Sequence, residues 1–194
     1  MKKSLIVIWL ELIFIRMILK INEHIDLKSV QLSDAAEIFE VIDRERETLR
    51  RWLPFVDKTL SVTDTENYIQ SVESMPLESR DLVFAIRYQG VFAGLVGLKN
   101  RDANNKRAEI GYWLSKAFQR KGLVTDSVKG LIRLAFEKMG LHRIQIKCAV
   151  NNIQSKNIPR RLNFILEGTE RDGELLVDGV YTDLEVYSIL NKKR

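Results

Sequence analysis

A basic loop containing one glycine, Gln119-Arg-Lys-Gly-Leu-Val-Thr125, stands between two patterned segments. The run Ala108–Leu114 before the loop is typical of a strand, and apolar residues recur at helical spacing from Val124 to Met139 after it. A loop in this position turns several main-chain N–H groups toward one point, and the helix N-terminus adds about half a positive charge. Gly122 allows a close approach of the main chain or a positive φ. The segment therefore predicts an anion site.

These residues resemble the acetyl-CoA signature of the GNAT superfamily of N-acetyltransferases, and especially its Rim-type branch of bacterial ribosomal-protein N-terminal acetyltransferases. The resemblance implies an α/β fold with a mixed central sheet, helices on both faces and central strands that splay apart. It also implies that the loop amides hold the diphosphate of acetyl-CoA. The superfamily often has Gly or Ala where this chain has Val124, so we expect this larger side chain to shift the phosphate slightly. The cofactor-binding residues implied are Tyr112, Trp113, Leu114, Gln119, Arg120, Lys121, Gly122, Leu123, Val124, Thr125, Asn152 and Ser155.

A second stretch matches another pattern of the same family, in the right order along the chain. Two motifs in the expected order indicate the family more specifically than one motif does. In this branch the position of Ser155 is that of the group proposed to protonate the CoA thiolate, and the position of Glu174 is that of the proposed base. Both residues have structural alternatives, since Ser155 could cap a helix and Glu174 could lie solvated in a turn. The matching residues are Asn152, Ser155, Arg160, Arg161, Phe164, Glu167 and Gly168.

Acetyl transfer from a thioester to an amine depends mainly on placement and on proton transfers. Main-chain N–H groups around Tyr112 to Leu114 could polarise the acetyl carbonyl. An α-amine, with a pKa of about 7.7 to 8, needs less help from a base than a lysine at about 10.4. Glu109 is the rival to Glu174 as base, because strand alternation places it on the face of Gly111 and Trp113. Gly111 itself indicates a bulge or a close ligand approach.

The rest of the sequence predicts further helices and strands of a single domain. Leu82–Tyr88 and Val91–Leu98 read as a hairpin around Gln89-Gly90, and Ser33-Asp34 precedes a helix. Thr63 and Glu66 fit a capping box for a second helix. A further helix is predicted from Ser155 to Leu162, and the strand after it from about Phe164 to Arg171.

The composition of the chain excludes several kinds of site. The chain has 194 residues, a net charge of +5 and one cysteine, Cys148, so it cannot form an internal disulfide or a cysteine-based zinc cluster. The two histidines are far apart, and no metal site is predicted. Residues 1–17 are expected to be an N-terminal extension, 18–190 the acetyltransferase domain and 191–194 a basic tail. The apolar run before Arg16 is interrupted by Glu11 and is too short to span a membrane.

We therefore predict a cytoplasmic, homodimeric enzyme that transfers acetyl from acetyl-CoA to a primary amine. The predicted acceptor is the N-terminal α-amine of a protein, with a ribosomal protein as the leading candidate because of the branch resemblance. Two alternatives stay open. One is a small-molecule acceptor such as a polyamine or an amine-bearing antibiotic. The other is a non-catalytic CoA-binding or ribosome-associated protein.

Overall fold

The computed structural model describes residues 17–192, so most of the predicted extension and part of the basic tail lie outside the described residues. Within that range eight strands form one sheet in the order β1-β2-β3-β4-β5-β6-β8-β7. All neighbours are antiparallel except β5 and β6, which confirms the mixed sheet. The strands are β1 Ile18–Lys20, β2 Ile25–Ser29, β3 Leu82–Tyr88, β4 Val91–Asp102, β5 Arg107–Leu114, β6 Arg143–Ala149, β7 Ile165–Leu175 and β8 Tyr181–Leu190.

Helices cover both faces of this sheet, as predicted. On one face, α4 buries its apolar stripe against strand residues such as Phe84, Ile86 and Ile110. On the other face, α1 and α3 enclose a second cluster with Ala85, Leu95 and Trp113. The helices are α1 Ala35–Arg44, α2 Arg46–Leu49, α3 Val62–Ser74, α4 Leu123–Arg133 and α5 Ile153–Arg161, with short 3-10 turns at Leu32–Asp34, Pro54–Lys58 and Lys116–Phe118.

Two predicted helix starts are wrong by two residues. Helix α3 is capped by Ser61, whose hydroxyl accepts the Asp64 N–H while the Asp64 carboxylate accepts the Ser61 N–H at 2.8 Å. The predicted Thr63–Glu66 box therefore lies inside the helix. Helix α5 begins at Ile153 rather than at Ser155. In both places a polar residue nearer the N-terminus takes the cap.

Other local predictions are confirmed. Gln89 and Gly90 both have positive φ, 52° and 82°, in the tight turn between β3 and β4. The helix after the loop ends at the predicted glycine. Helix α4 continues as a π-helical turn, Leu134–Lys138, and Gly140 follows with φ 65°. Among the described residues, no helix is long and apolar enough to cross a membrane.

Candidate active site

The predicted anion loop leads from the end of β5 into helix α4. Arg120 has φ 64°, and Gly122 has φ 78° at the helix N-cap, where no side chain caps the helix. Among the described residues, no acceptor is hydrogen-bonded to the main-chain N–H groups of residues 120–124. Unpaired donors at the start of an eleven-residue helix make a suitable site for a phosphate group.

The side chains after Gly122 point away from this site. Leu123 and Val124 are buried in the core that α4 forms with the sheet. Val124 thus packs into the core and not into the loop, while its effect on the phosphate stays a prediction. Lys121 folds its ammonium group over the rings of Tyr88 and Phe118, at 5.2 and 5.6 Å. The loop can thus offer main-chain donors with few side chains in the way.

Strands β5 and β6 part immediately after a short parallel pairing. They pair only over residues 107–109 and 143–145, and β5 then runs on to Leu114 beside β4 alone. The Ser115 N–H donates to the Ala93 carbonyl of β4 at 2.8 Å. Because main-chain groups alternate in direction along a strand, Tyr112 and Leu114 turn theirs toward the opening. The predicted splay of central strands is confirmed, and it exposes unpaired edges at these two residues.

A hydroxyl bridge crosses the opening between these strands. The Tyr112 hydroxyl donates to the Ser155 carbonyl at 3.0 Å, and the Ser155 hydroxyl donates to the Tyr112 oxygen at 3.3 Å. Cys148 on β6 lies 3.2 Å from the Ser155 hydroxyl. Burial raises the pKa of the Tyr112 phenol and of the Cys148 thiol, so both stay protonated at neutral pH. The bridge therefore brings three protonated groups together at the splay.

Ser155 is not the cap of its helix. The Asn152 side chain caps α5 by accepting the Ser155 N–H at 3.1 Å, which leaves the Ser155 hydroxyl for the opening. The alternative reading of Ser155 as a structural N-cap is therefore wrong. Asn152 therefore caps the helix, and its predicted contact with the cofactor stays a prediction.

A cavity of about 640 Å³ lies on the opposite face, between α1, α3 and the sheet. Its floor is the cross-strand pair Gly97 and Gly111, which stand opposite each other without side chains. No register shift occurs at Gly111, so of the two alternatives predicted there the bulge is wrong, and the close approach of a ligand stays a prediction. The buried Trp113 forms one wall, packing edge-to-face on Phe92 with 5.8 Å between ring centroids. The cavity thus reaches β5 at the residues that flank the splay.

Glu174 reaches this cavity because β7 is irregular. The register between β7 and β8 shifts between Glu170 and Glu174, where Asp172 has φ 49° and its N–H donates to the Asp183 carboxylate at 2.9 Å. Such a bulge redirects the side chains that follow it. Glu174 is therefore half-buried within a strand, and the alternative of a solvated turn residue is wrong.

The two candidate bases have different surroundings. Glu109 is buried, with one oxygen 2.9 Å from the Lys99 ammonium and the other accepting from the Gln145 amide at 3.1 Å. The Glu174 carboxylate has no hydrogen bond or ion pair to any described residue, and burial is the main cause that raises its pKa. A desolvated, unpaired carboxylate facing a cavity is the better proton acceptor.

Three further residues support the site without a local signal in the sequence. Lys99 pairs with Glu109 and extends its side chain across Gly111. Asp81 lines the cavity, and burial raises its pKa. Glu45, after α1, accepts from the Ser115 hydroxyl at 2.6 Å and from the Lys116 N–H at 2.8 Å. These contacts join residues distant in the sequence, so only the fold reveals them.

Comparison with known proteins places this arrangement in a family. The sequence profile of the acetyltransferase (GNAT) domain family matches residues 24–165. A relative from Bacillus subtilis (strain 168), "Putative ribosomal N-acetyltransferase YdaF", is 36% identical over 175 residues, covering 90% of this chain and 95% of that protein.

Two solved structures share the fold. The ribosomal L7/L12 alpha-N-protein acetyltransferase RimL, in complex with coenzyme A, superposes with a TM-score of 0.87 at 25% identity, covering 92% of this chain and all of that one. The Microcin C7 self immunity acetyltransferase MccE, in complex with acetyl-CoA and AMP, gives 0.83 at 31% identity, covering 89% and 95%. This chain belongs to the GNAT acetyltransferase family.

Proposed function

We propose that this enzyme transfers the acetyl group of acetyl-CoA to the N-terminal α-amine of a protein, with a ribosomal protein as the leading substrate. The observation that carries the proposal is the unpaired Glu174 carboxylate in a cavity that reaches β5 beside the splay. The names of the RimL and Bacillus subtilis relatives support this choice of acceptor.

Acetyl-CoA fits the groups on the other side of β5. Its diphosphate would accept from the main-chain N–H groups of residues 120–124, near the positive end of α4. Arg120 belongs to this stretch and is exposed, and Gln119 and Thr125 adjoin its two ends. The pantetheine arm would pair like a strand with the free main-chain groups of Tyr112 and Leu114. The thioester sulfur would then lie near Ser155.

The reaction needs one proton acceptor and one proton donor. The neutral amine attacks the acetyl carbonyl carbon, forming the C–N bond, and its proton passes to Glu174. The C–S bond breaks, and the departing thiolate takes the proton of the Ser155 hydroxyl, which Tyr112 holds in place. Exchange with solvent then returns a proton to Ser155 and removes the proton from Glu174. Main-chain N–H groups of β5 stabilise the developing oxyanion. The unpaired Glu174 takes the base role in preference to Glu109, whose oxygens are both engaged.

The charges in the cavity favour a single amine over a polycation. Its carboxylates are Asp64, Asp81 and Glu174, and Asp64 is engaged in capping α3. Lys58 and Lys99 line the same cavity, and Lys99 is paired there with Glu109. A polyamine with several ammonium groups would meet these lysines, whereas an α-amine needs one carboxylate.

The proposal also covers the domain bounds, the cellular location and the oligomeric state of the enzyme. The domain spans residues 18–190, and the enzyme works in the cytoplasm as a homodimer. Exposed apolar residues along the β7–β8 edge of the sheet support an interface there, because edges of this kind favour association. Analytical sedimentation at several protein concentrations measures the oligomeric state. The exposed residues are Ile165, Leu166, Val180, Tyr181 and Leu190.

The test combines binding with turnover. Calorimetric titration with acetyl-CoA should show binding, and incubation with amine-bearing peptides should release CoA thiol and add acetyl to the peptide N-terminus by mass. Peptides with a blocked N-terminus but a free lysine, and a polyamine, are the matched controls. Acetylation of the polyamine alone would favour the small-molecule alternative. Binding without thiol release would identify a non-catalytic protein.

A further inference from the structure

One wall of the cavity that Glu174 faces is a short stretch between α2 and α3, residues 54–59, which we call the wall segment. Its residue Val56 is fully buried in the second core cluster. Phe55 and Lys58, on either side of Val56, are exposed and line the cavity. The ring of Phe55, which is 42% exposed, therefore offers apolar surface to a molecule that enters the cavity.

The local hydrogen bonds of the wall segment form one short turn. The Val56 N–H donates to the Leu53 carbonyl at 3.1 Å, and the Thr59 N–H donates to the Val56 carbonyl at 3.2 Å. The 3-10 turn Pro54–Lys58 is five residues long, and turns of this kind have poor hydrogen-bond geometry. The position of the wall segment must therefore depend on contacts with other elements as well.

Two arginines at α2 make such contacts. The Arg46 guanidinium donates to the Val56 carbonyl at 2.5 Å and to the Thr59 carbonyl at 2.6 Å. Four residues further on, Arg50 donates twice to the Asp57 carboxylate, both times at 2.8 Å. The hydrogen bonds from Arg50 lower the pKa of Asp57, so this pair stays charged well below neutral pH. Both arginines thus connect α2 to the wall segment.

Of these two contacts, the one made by Arg46 fixes the main chain. Its side chain is 22% exposed, so its hydrogen bonds are partly sheltered from water. Hydrogen bonds from a charged donor are stronger than those between neutral groups, and the planar guanidinium can serve two acceptors at once. Arg46 therefore holds the carbonyls at both ends of the stretch that carries Lys58.

We infer that Arg46 is a positioning residue for the acceptor: it holds the wall segment in place, and Phe55 on that segment contacts the first residues of the acceptor peptide beside Glu174. The inference rests on the proposed function, because it takes this cavity as the acceptor site. Arg46 acts through main-chain carbonyls and not on the reacting atoms. Its loss should therefore weaken the binding of the acceptor and leave kcat at saturating peptide unchanged.

Steady-state kinetics with an amine-bearing peptide tests this role. Arg46→Gln should raise the KM for the peptide several-fold, with kcat and the KM for acetyl-CoA unchanged. Arg46→Lys keeps the charge and should recover part of the peptide affinity. Phe55→Ala changes an exposed side chain, so it should raise the KM for the peptide in a stable protein even if Arg46→Gln unfolds. The matched control is Arg44→Gln, which should leave all three constants unchanged, because the Arg44 guanidinium pairs with Glu40 and Glu45.

Hydrogen–deuterium exchange measures how firmly the wall segment is held, without acetyl transfer. The amides of Val56 and Thr59 should exchange several times faster in Arg46→Gln than in the wild type, and at the wild-type rate in Arg44→Gln. In an enzyme that acetylates peptides, unchanged exchange in Arg46→Gln, or faster exchange with an unchanged KM for the peptide, would overturn the inference alone. A wild type that acetylates no peptide N-terminus would overturn the proposed function, and the acceptor role of Arg46 with it.

Discussion

The two halves of the proposed site, one for acetyl-CoA and one for the acceptor amine, lie on either side of β5 and are built in different ways. The donor half is formed by main-chain groups of consecutive residues, from the edge of β5 through the loop to the start of α4. The acceptor half is formed by side chains from α1, α3, β4, β5 and β7, which meet only in the folded chain. Because the donor half uses main-chain groups, many different side chains can occupy its positions. The acceptor half depends on the identity of a few side chains. We therefore expect donor-side substitutions to change acetyl-CoA affinity and acceptor-side substitutions to change turnover.

The largest effect is expected in the acceptor half. Glu174→Gln removes the proton acceptor and should lower kcat about 10²-fold or more, with acetyl-CoA affinity unchanged. Thiol release under saturating acetyl-CoA measures it. Glu109→Gln is the matched control and should retain most of the rate, because Glu109 already pairs with Lys99 and Gln145. Loss of turnover in Glu109→Gln with a normal rate in Glu174→Gln would reverse the two roles.

The next effect is expected at the hydroxyl bridge. Ser155→Ala removes the proton donor and should lower kcat about tenfold to 100-fold without a change in stability, since Asn152 caps the helix. Asn152→Ala should lower the free energy of unfolding by about 1 kcal/mol through loss of the cap. Rate measurements and thermal unfolding of both variants check this. A Ser155→Ala protein that is destabilised but fully active would return Ser155 to a structural role.

A smaller effect is expected in the donor half. Gly122→Ala forces a side chain into positive φ, which costs about 1 kcal/mol, and places a methyl group where the diphosphate must approach. The KM for acetyl-CoA should rise about tenfold, as expected for about 1.4 kcal/mol of lost binding. Gly179→Ala is a matched control, because Gly179 has a similar φ of 74° and open space around it. Equal losses of acetyl-CoA affinity in both variants would contradict the loop as the diphosphate site.

The smallest effect concerns stability and pH. Because the pKa of Glu174 is raised in the fold, its stabilising contribution is present when it is protonated and is lost as pH rises through the raised pKa. Glu174→Gln should therefore unfold at a slightly higher temperature than wild type at pH 8. The difference should vanish below the ordinary carboxyl range, at about pH 4. Thermal scans across pH measure it, and an opposite trend would mean that Glu174 is paired in solution.

The loop and the helix after it could be predicted from the sequence because the information for both is local. The loop, its glycine and the following stripe stand together, and the hairpin around Gln89-Gly90 is set by its own turn residues. The direction of the Val124 side chain could not be predicted from the loop alone, because the first turn of α4 sets it, and there it points into the core.

The acceptor half could be predicted only in part. The resemblance supplied Glu174 but not the bulge that directs it, which depends on a contact between Asp172 and Asp183 on the neighbouring strand. The motif residue Glu167 could not be given a role from sequence. In the fold it binds Arg143 of β6 and Ser188 of β8, which lowers its pKa to about 2 and joins three strands below the splay.

A crystal structure with acetyl-CoA bound tests the central claim most directly. We predict diphosphate oxygens within about 3 Å of the N–H groups of residues 120–124, and a thioester between Tyr112 and Ser155 with its acetyl group toward the Glu174 cavity. A diphosphate bound elsewhere, or strands β5 and β6 closed beyond Glu109 with the ligand outside them, would contradict the account.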